Sequence, residues 1–190
     1  VFAVYRDVNG DKKFTGGTDE LLGNMTESSA GIHEYKDLLY GDYLTREIKA
    51  PEGYTVDRNY YAFSIKKDGE AVKVGNNADG NFYNKDIKGN IEGVKVGKSD
   101  EPLAGAVIGL FANGESDFTA ENALAAVTTE KDGKFIFKDI VYGKYIVAEI
   151  QSPTGYILTE ETFPVSISKN NEVITVKISN EKIRGNIEGI

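Results

Sequence analysis

One segment of this sequence occurs twice. Residues 41–54 read GDYLTREIKAPEGY and residues 143–156 read GKYIVAEIQSPTGY. Gly, Tyr, Glu, Ile, Pro, Gly and Tyr recur at a constant offset, 149 − 47 = 102. A repeat that long in a chain of 190 residues divides it into two units of roughly 90 to 100 residues, each large enough for its own core. Both copies carry one glutamate inside a strand-like run and end in a Pro-x-Gly-Tyr turn. In the second copy Tyr145, Ile146, Val147, Ala148 and Ile150 surround Glu149. A strand apolar on both faces is a buried strand, and burial of a lone carboxylate favours its uncharged form. A glutamate at a strand edge, exposed or paired with a lysine, fits the same spacing.

The rest of the chain reads as β structure. Strand-like runs open both units (VFAVYRD and KGNIEGVKV), and many Val, Ile and Thr runs are separated by glycine-rich turns. In the first unit the polar loop VNGDKKFTGGT leads to a strand near ELLGNMTE. After the first Pro-x-Gly-Tyr, Tyr61, Phe63 and Ile65 alternate with polar neighbours and Lys67-Asp68-Gly69 supplies a turn, which predicts a hairpin. A last strand over GNFYNKDI contains Asn84. In the second unit, residues 118–127 are rich in Ala, Glu and Leu and predict one or two helical turns. A closing hairpin there ends on a strand containing Asn180.

Asn84 and Asn180 are 96 apart, so the second hairpin is 102 − 96 = 6 residues shorter than the first. Length differences confined to a loop suit a repeated domain. KGNIEGV at 88–94 returns as RGNIEGI at 184–190. The expected organisation is therefore a first domain over 1–88 lacking its opening strand, a complete domain over 89–184, and the start of a further repeat at 185–190. A bare strand edge pairs readily with other strands, and strand exchange through 184–190 of a neighbouring molecule is one way to cover it.

Composition excludes several classes. A net charge of −8 and a pI near 4.8 argue against nucleic acid or an anionic membrane as partner. No cysteine is present, so neither a disulfide nor a thiolate site can form. The fragment contains no membrane span and no signal peptide. Beginning in mid-strand, it reads as part of something longer whose flanks carry the targeting information.

The order of chemical groups is more specific than any of these signals. Lys95 is followed by Pro102-Leu103-Ala104-Gly105-Ala106. Then come Tyr145-x-x-x-Glu149-x-x-x-Pro153-x-Gly155-Tyr156 and a late-strand Asn180. This order resembles the B-type domains of collagen-adhesin surface proteins, which also build pilin subunits of Gram-positive bacteria. The resemblance covers essentially the whole chain. It implies two tandem Ig-like, prealbumin-like β-sandwich domains, all-β, in a stalk module that is extracellular and anchored to the cell wall within a longer polypeptide. Its partners would be neighbouring repeats of the same polypeptide. It also implies an intramolecular isopeptide bond from a lysine amine to the Asn180 side chain, promoted by Glu149.

The chemistry suits the residue types. Burial depresses a lysine pKa and supplies the neutral amine that attacks. A carboxyl hydrogen-bonded to the amide activates it and carries the proton that lets ammonia leave. Contact makes the reaction intramolecular. Such a bond forms once per domain, which is self-modification and not enzymatic turnover. Lys95 and Lys98 both stand near the required place. Counting back from Leu103 favours Lys95, although the family usually has a larger apolar residue where Gly93 stands. In the first unit Glu47 and Asn84 occupy the matching positions, but the lysine would precede Val1, so no bond is expected there in this fragment.

Two weaker signals remain. Asp7, Asn9 and Asp11 have the oxygen spacing that opens a Ca2+ loop. Lys12 takes the usual glycine's place, however, and a polar hairpin tip explains the run equally well; no other cofactor is expected. His33, the single histidine, reads as a surface strand residue. An exposed aromatic patch including Tyr60, Tyr61 or Tyr83 would favour the alternative, a ligand-binding adhesin domain that recognises a host protein or glycan.

Overall fold

Alternating apolar and polar residues, interrupted by glycine and asparagine turns, produce strands throughout the computed structural model, which describes residues 1–189. The described residues form fifteen strands and no helix. The chain divides into unit 1, Val1–Lys85, and unit 2, Asp86–Ile190.

Unit 1 comprises β1 (Phe2–Arg6), β2 (Glu20–Asn24), β3 (Thr26–Ser29), β4 (Ile32–Glu34), β5 (Gly41–Glu47), β6 (Tyr54–Thr55) and β7 (Tyr61–Ile65), with the two-residue β8 (Lys85–Asp86) at its boundary. Its main sheet is antiparallel in the order β2-β1-β5-β7, and β3 and β4 form a separate ladder. His33 lies on β4, half-buried, with its ring edge-on to Phe2 at 5.1 Å. The expected return arm after β7 is not a strand. Residues 66–84 are irregular because asparagine side chains replace the ladder. Asn76 Nδ2 donates to the Tyr83 carbonyl at 2.9 Å, Tyr83 N donates to Asn76 Oδ1 at 2.8 Å, and Asn81 N donates to Asn77 Oδ1 at 2.9 Å. Asn84 thus lies just before β8 and not inside a strand.

Unit 2 comprises β9 (Lys88–Gly97), β10 (Val107–Ala112), β11 (Ala125–Thr128), β12 (Lys134–Val141), β13 (Gly143–Gln151), β14 (Thr162–Ile167) and β15 (Glu172–Asn180). One sheet has the order β11-β10-β13-β14, the other β12-β9-β15. Their inner faces enclose Ile91, Ile108, Leu110, Phe135, Phe137, Val147, Ile167, Val176 and Ile178. Each such side chain stabilises the fold by about 1.5–3 kcal/mol when fully buried. The helical turns expected over 118–127 do not form. Ala125 to Thr128 instead pair with Leu110 to Val107 on the edge of β10, and ladder bonds with apolar packing outweigh a weak helix preference.

The first and last strands of unit 2 are direct neighbours. β9 and β15 run parallel, from Gly89 beside Glu172 to Gly97 beside Asn180. β13, which carries Glu149, belongs to the facing sheet. Among the described residues, unit 1 has no strand in the position that β9 takes in unit 2. Of the further repeat expected at 185–190, residues 185–189 form no strand and are exposed. Ile190, the last residue of that expected opening, lies outside the described residues.

Candidate functional site

Strand periodicity brings three polar side chains into the core of unit 2. Ile91, Gly93 and Lys95 share one face of β9, Val176, Ile178 and Asn180 one face of β15, and Val147 and Glu149 one face of β13. Because Ile91, Val147, Val176 and Ile178 pack inward, Lys95, Glu149 and Asn180 must do so as well. Their exposures are 0%, 4% and 2%. Lys95 Nζ donates to Asn180 Oδ1 and lies 3.3 Å from Glu149 Oε1. Asn180 Nδ2 donates to Glu149 Oε1 at 2.9 Å and Oε2 at 2.8 Å. Thr159 N completes the set by donating to Glu149 Oε2 at 3.0 Å.

The main chain of Lys95 is fixed on both sides. Its N–H donates to the Gly133 carbonyl at 2.7 Å and its carbonyl accepts from Leu103 N at 2.9 Å. Gly133 has φ +75°, and a Cβ there would sit 2.3 Å from the Lys95 carbonyl oxygen. Only glycine permits this approach. Gly93, where the family resemblance leads one to expect a larger residue, is explained by its surroundings. The Phe135 ring fills the space above it, and a Cβ would fall 2.1 Å from Phe135 Cζ. Lys98, the other lysine considered, is exposed and pairs with Glu181 Oε1 at 2.5 Å.

Burial pushes the Lys95 amine below the usual lysine range, while the nearby Glu149 and Glu161 oppose that shift. An unfolded chain therefore holds a proton that the folded chain has released, in the window between the lowered value and the ordinary 10.5. Folding stability contributed by this group rises with pH across that window and levels off near 10.5. Denaturant titrations at several pH values check this when Asn180→Ala is compared with the Asn180→Ala/Lys95→Met chain. The difference between the two should carry the slope.

In unit 1 Glu47 is buried. Its Oε2 accepts from Asn84 Nδ2 at 2.7 Å and from Asp57 N at 2.8 Å, and Asn84 Nδ2 also donates to the Thr55 carbonyl at 3.0 Å. Among the described residues no lysine joins this pair. The sequence did not point to Thr159 or Asp57, because both act through backbone N–H groups. The only available signal was their common position ten residues after each glutamate (159 − 149 and 57 − 47).

The oxygens of the Asp7 loop are turned toward its own backbone. The buried Asp7 accepts from Gly10 N at 2.8 Å and Lys12 N at 2.9 Å, and Asn9 Oδ1 accepts from Asp11 N at 3.2 Å. Asp11 Oδ1 accepts from Lys13 N at 2.8 Å. Of the three tyrosines considered for ligand contact, Tyr60 is stacked on Phe14 with ring centroids 4.6 Å apart, and Tyr61 donates its hydroxyl to Asp57 Oδ2 at 2.6 Å. Tyr83 is exposed.

The family model of the SpaA prealbumin-like fold domain matches residues 1–79 and 89–182. The Bacillus anthracis TIE protein is 28% identical and superposes with a TM-score of 0.73, over 96% of this chain and 30% of that one. A C-terminal fragment of the pilus adhesin SpaC from Lactobacillus rhamnosus GG shares the fold. Its TM-score is 0.54 at 14% identity, over 98% of this chain and 90% of that fragment. The trypsin-resistant surface T6 protein of Streptococcus pyogenes serotype M6 is 36% identical over 81 residues, 43% of this chain and 14% of that protein. The chain thus spans a small part of the T6 protein and less than a third of the TIE structure.

Proposed function

Since the chain belongs to the family of SpaA prealbumin-like fold domains, we propose that it is a stalk section of a Gram-positive surface adhesin or pilus, whose unit 2 is tied by an isopeptide bond between Lys95 and Asn180. The observation that carries this reading is the buried contact of an amine, a carboxamide and a carboxyl at the ends of two neighbouring strands. In the reaction, neutral Lys95 Nζ attacks Asn180 Cγ. The Nζ–Cγ bond forms and the Cγ–Nδ2 bond breaks. Glu149 takes a proton from Nζ and passes it to Nδ2, which leaves as ammonia. No oxidant, metal or external reactant is needed. Exclusion of water by the surrounding core strengthens the hydrogen bonds that hold the Asn180 carboxamide against Glu149.

The module acts as a structural link and not as an enzyme, because the residues are consumed in forming it. It works outside the cell, anchored to the wall within a longer polypeptide, with neighbouring repeats as its partners. The names of the SpaC pilus adhesin and the surface T6 protein support that setting. Strand exchange through 184–190 is supported by the position left without a β9 counterpart in unit 1 and by the exposed, unpaired 184–189 segment. Of the three tyrosines named for recognition of a host protein or glycan, only Tyr83 is exposed, which falls short of the contiguous patch that reading needs.

Intact-mass measurement tests the proposal. The chain is expected to weigh one ammonia less than its sequence. Two missing ammonias would place a second bond in unit 1, and a full mass would remove the crosslink.

A further inference from the structure

Both units hold their glutamate by the same unadvertised contact. Thr159 N donates to Glu149 Oε2 at 3.0 Å, and Asp57 N donates to Glu47 Oε2 at 2.8 Å. The side chains at these positions differ, Thr in one and Asp in the other, so the shared element is the main-chain N–H. In unit 1 the clamp and the Asn84 contact are both present without a lysine partner. Acid and carboxamide are therefore oriented independently of the amine.

The loop that supplies the clamp in unit 2 is also stitched to the chain leaving Asn180. Ile157 N donates to the Glu181 carbonyl at 2.8 Å, and Ile183 N donates to the Gly155 carbonyl at 2.9 Å. One loop thus ties down the acid and the strand end that bears the electrophile. A carboxyl group's terminal torsion is otherwise broad and roughly two-fold, so an unanchored Glu149 would offer its oxygens to Lys95 in several orientations.

Resting on the crosslinking reading of unit 2, we propose that the backbone N–H ten residues after the glutamate is a positioning group. It anchors Oε2 and leaves Oε1, 3.3 Å from Lys95 Nζ, as the oxygen that takes the lysine proton and passes it to Nδ2. A hydrogen bond from a neutral donor to a carboxylate is among the stronger ones in proteins, and placement of the proton carrier governs the rate of such transfers.

The test uses chains assembled by chemical synthesis under denaturing conditions, so that they enter refolding unreacted. Loss of ammonia is followed with time by intact mass. Replacing the Thr159 N–H by an ester oxygen removes the donor and keeps the side chain, and is expected to slow crosslinking roughly 10- to 100-fold. Thr159→Ala keeps the donor and should react within about two-fold of the unaltered chain. An ester chain that crosslinks at the unaltered rate overturns the proposal, as does Thr159→Ala slowing the reaction as much as the ester.

If the unaltered chain itself never loses ammonia, the crosslinking reading fails first, and the clamp's role with it. A second measurement is independent of the reaction. In the Lys95→Met chain, the Asn180 side-chain amide protons should shift by NMR on ester substitution and stay unmoved in Thr159→Ala. Protons unmoved by the ester would contradict the anchoring.

Discussion

Glu149→Ala is expected to restore the full calculated mass and to lower the unfolding midpoint of unit 2 by roughly 20–30 °C. The proposed tie would join positions 85 residues apart. By analogy with a disulfide, closing a loop of that length constrains the unfolded chain by about 4–5 kcal/mol. For a domain of this size each kcal/mol moves the midpoint by roughly 4–8 °C. Removing the carboxylate also leaves Lys95, fully buried, without its acid, which adds to the loss in the direction expected for a broken buried pair. Calorimetry alongside intact mass checks both halves. A Glu149→Ala chain that still lacks one ammonia would show that the carboxyl is not needed. A chain of full mass that melts at the unaltered temperature would show that the tie contributes nothing to stability.

The second large effect is mechanical. Pulled by its two ends, the unaltered chain should release unit 1 but withhold the segment between Lys95 and Asn180. Once unit 2 gives way in Glu149→Ala, 85 further positions become extensible, a gain of about 280–310 Å at 3.3–3.6 Å per residue. Single-molecule force spectroscopy reads this directly, with unit 1 as an internal control in both chains. The parallel register of β9 and β15 makes the contrast sharp, since load applied at the start of β9 and the end of β15 shears the two strands along each other. A full release of unit 2 from the unaltered chain would refute the tie.

Much of this arrangement was legible in the sequence, for a definite reason. The repeat separated the two units, and a single glutamate in an apolar strand stood out because strands display alternate residues to one face. That same periodicity puts Lys95 beneath Ile91, and Asn180 beneath Val176 and Ile178. What stayed hidden depends on partners distant in sequence. Spacing along β13 carries no information about which sheet it joins, so the acid's approach from the facing sheet was not foreseen. The departure at Gly93 makes sense only once Phe135 is seen to occupy the space. Residues 118–127 have helical composition, yet the free edge of β10 recruits Ala125 to Thr128 as a strand. The irregular segment before Asn84 reflects asparagine side chains competing with the ladder. The amide clamps of Thr159 and Asp57 had no residue type to betray them.

The adjacency of β9 and β15 has a last consequence. If tension crosses unit 2 through one covalent link between neighbouring strands, every residue from 96 to 179 is mechanically idle. Loops such as the one over 113–124 are then free to lengthen, shorten or drift in sequence without weakening the fibre. Strength and outward appearance become separate properties, open to change at different rates.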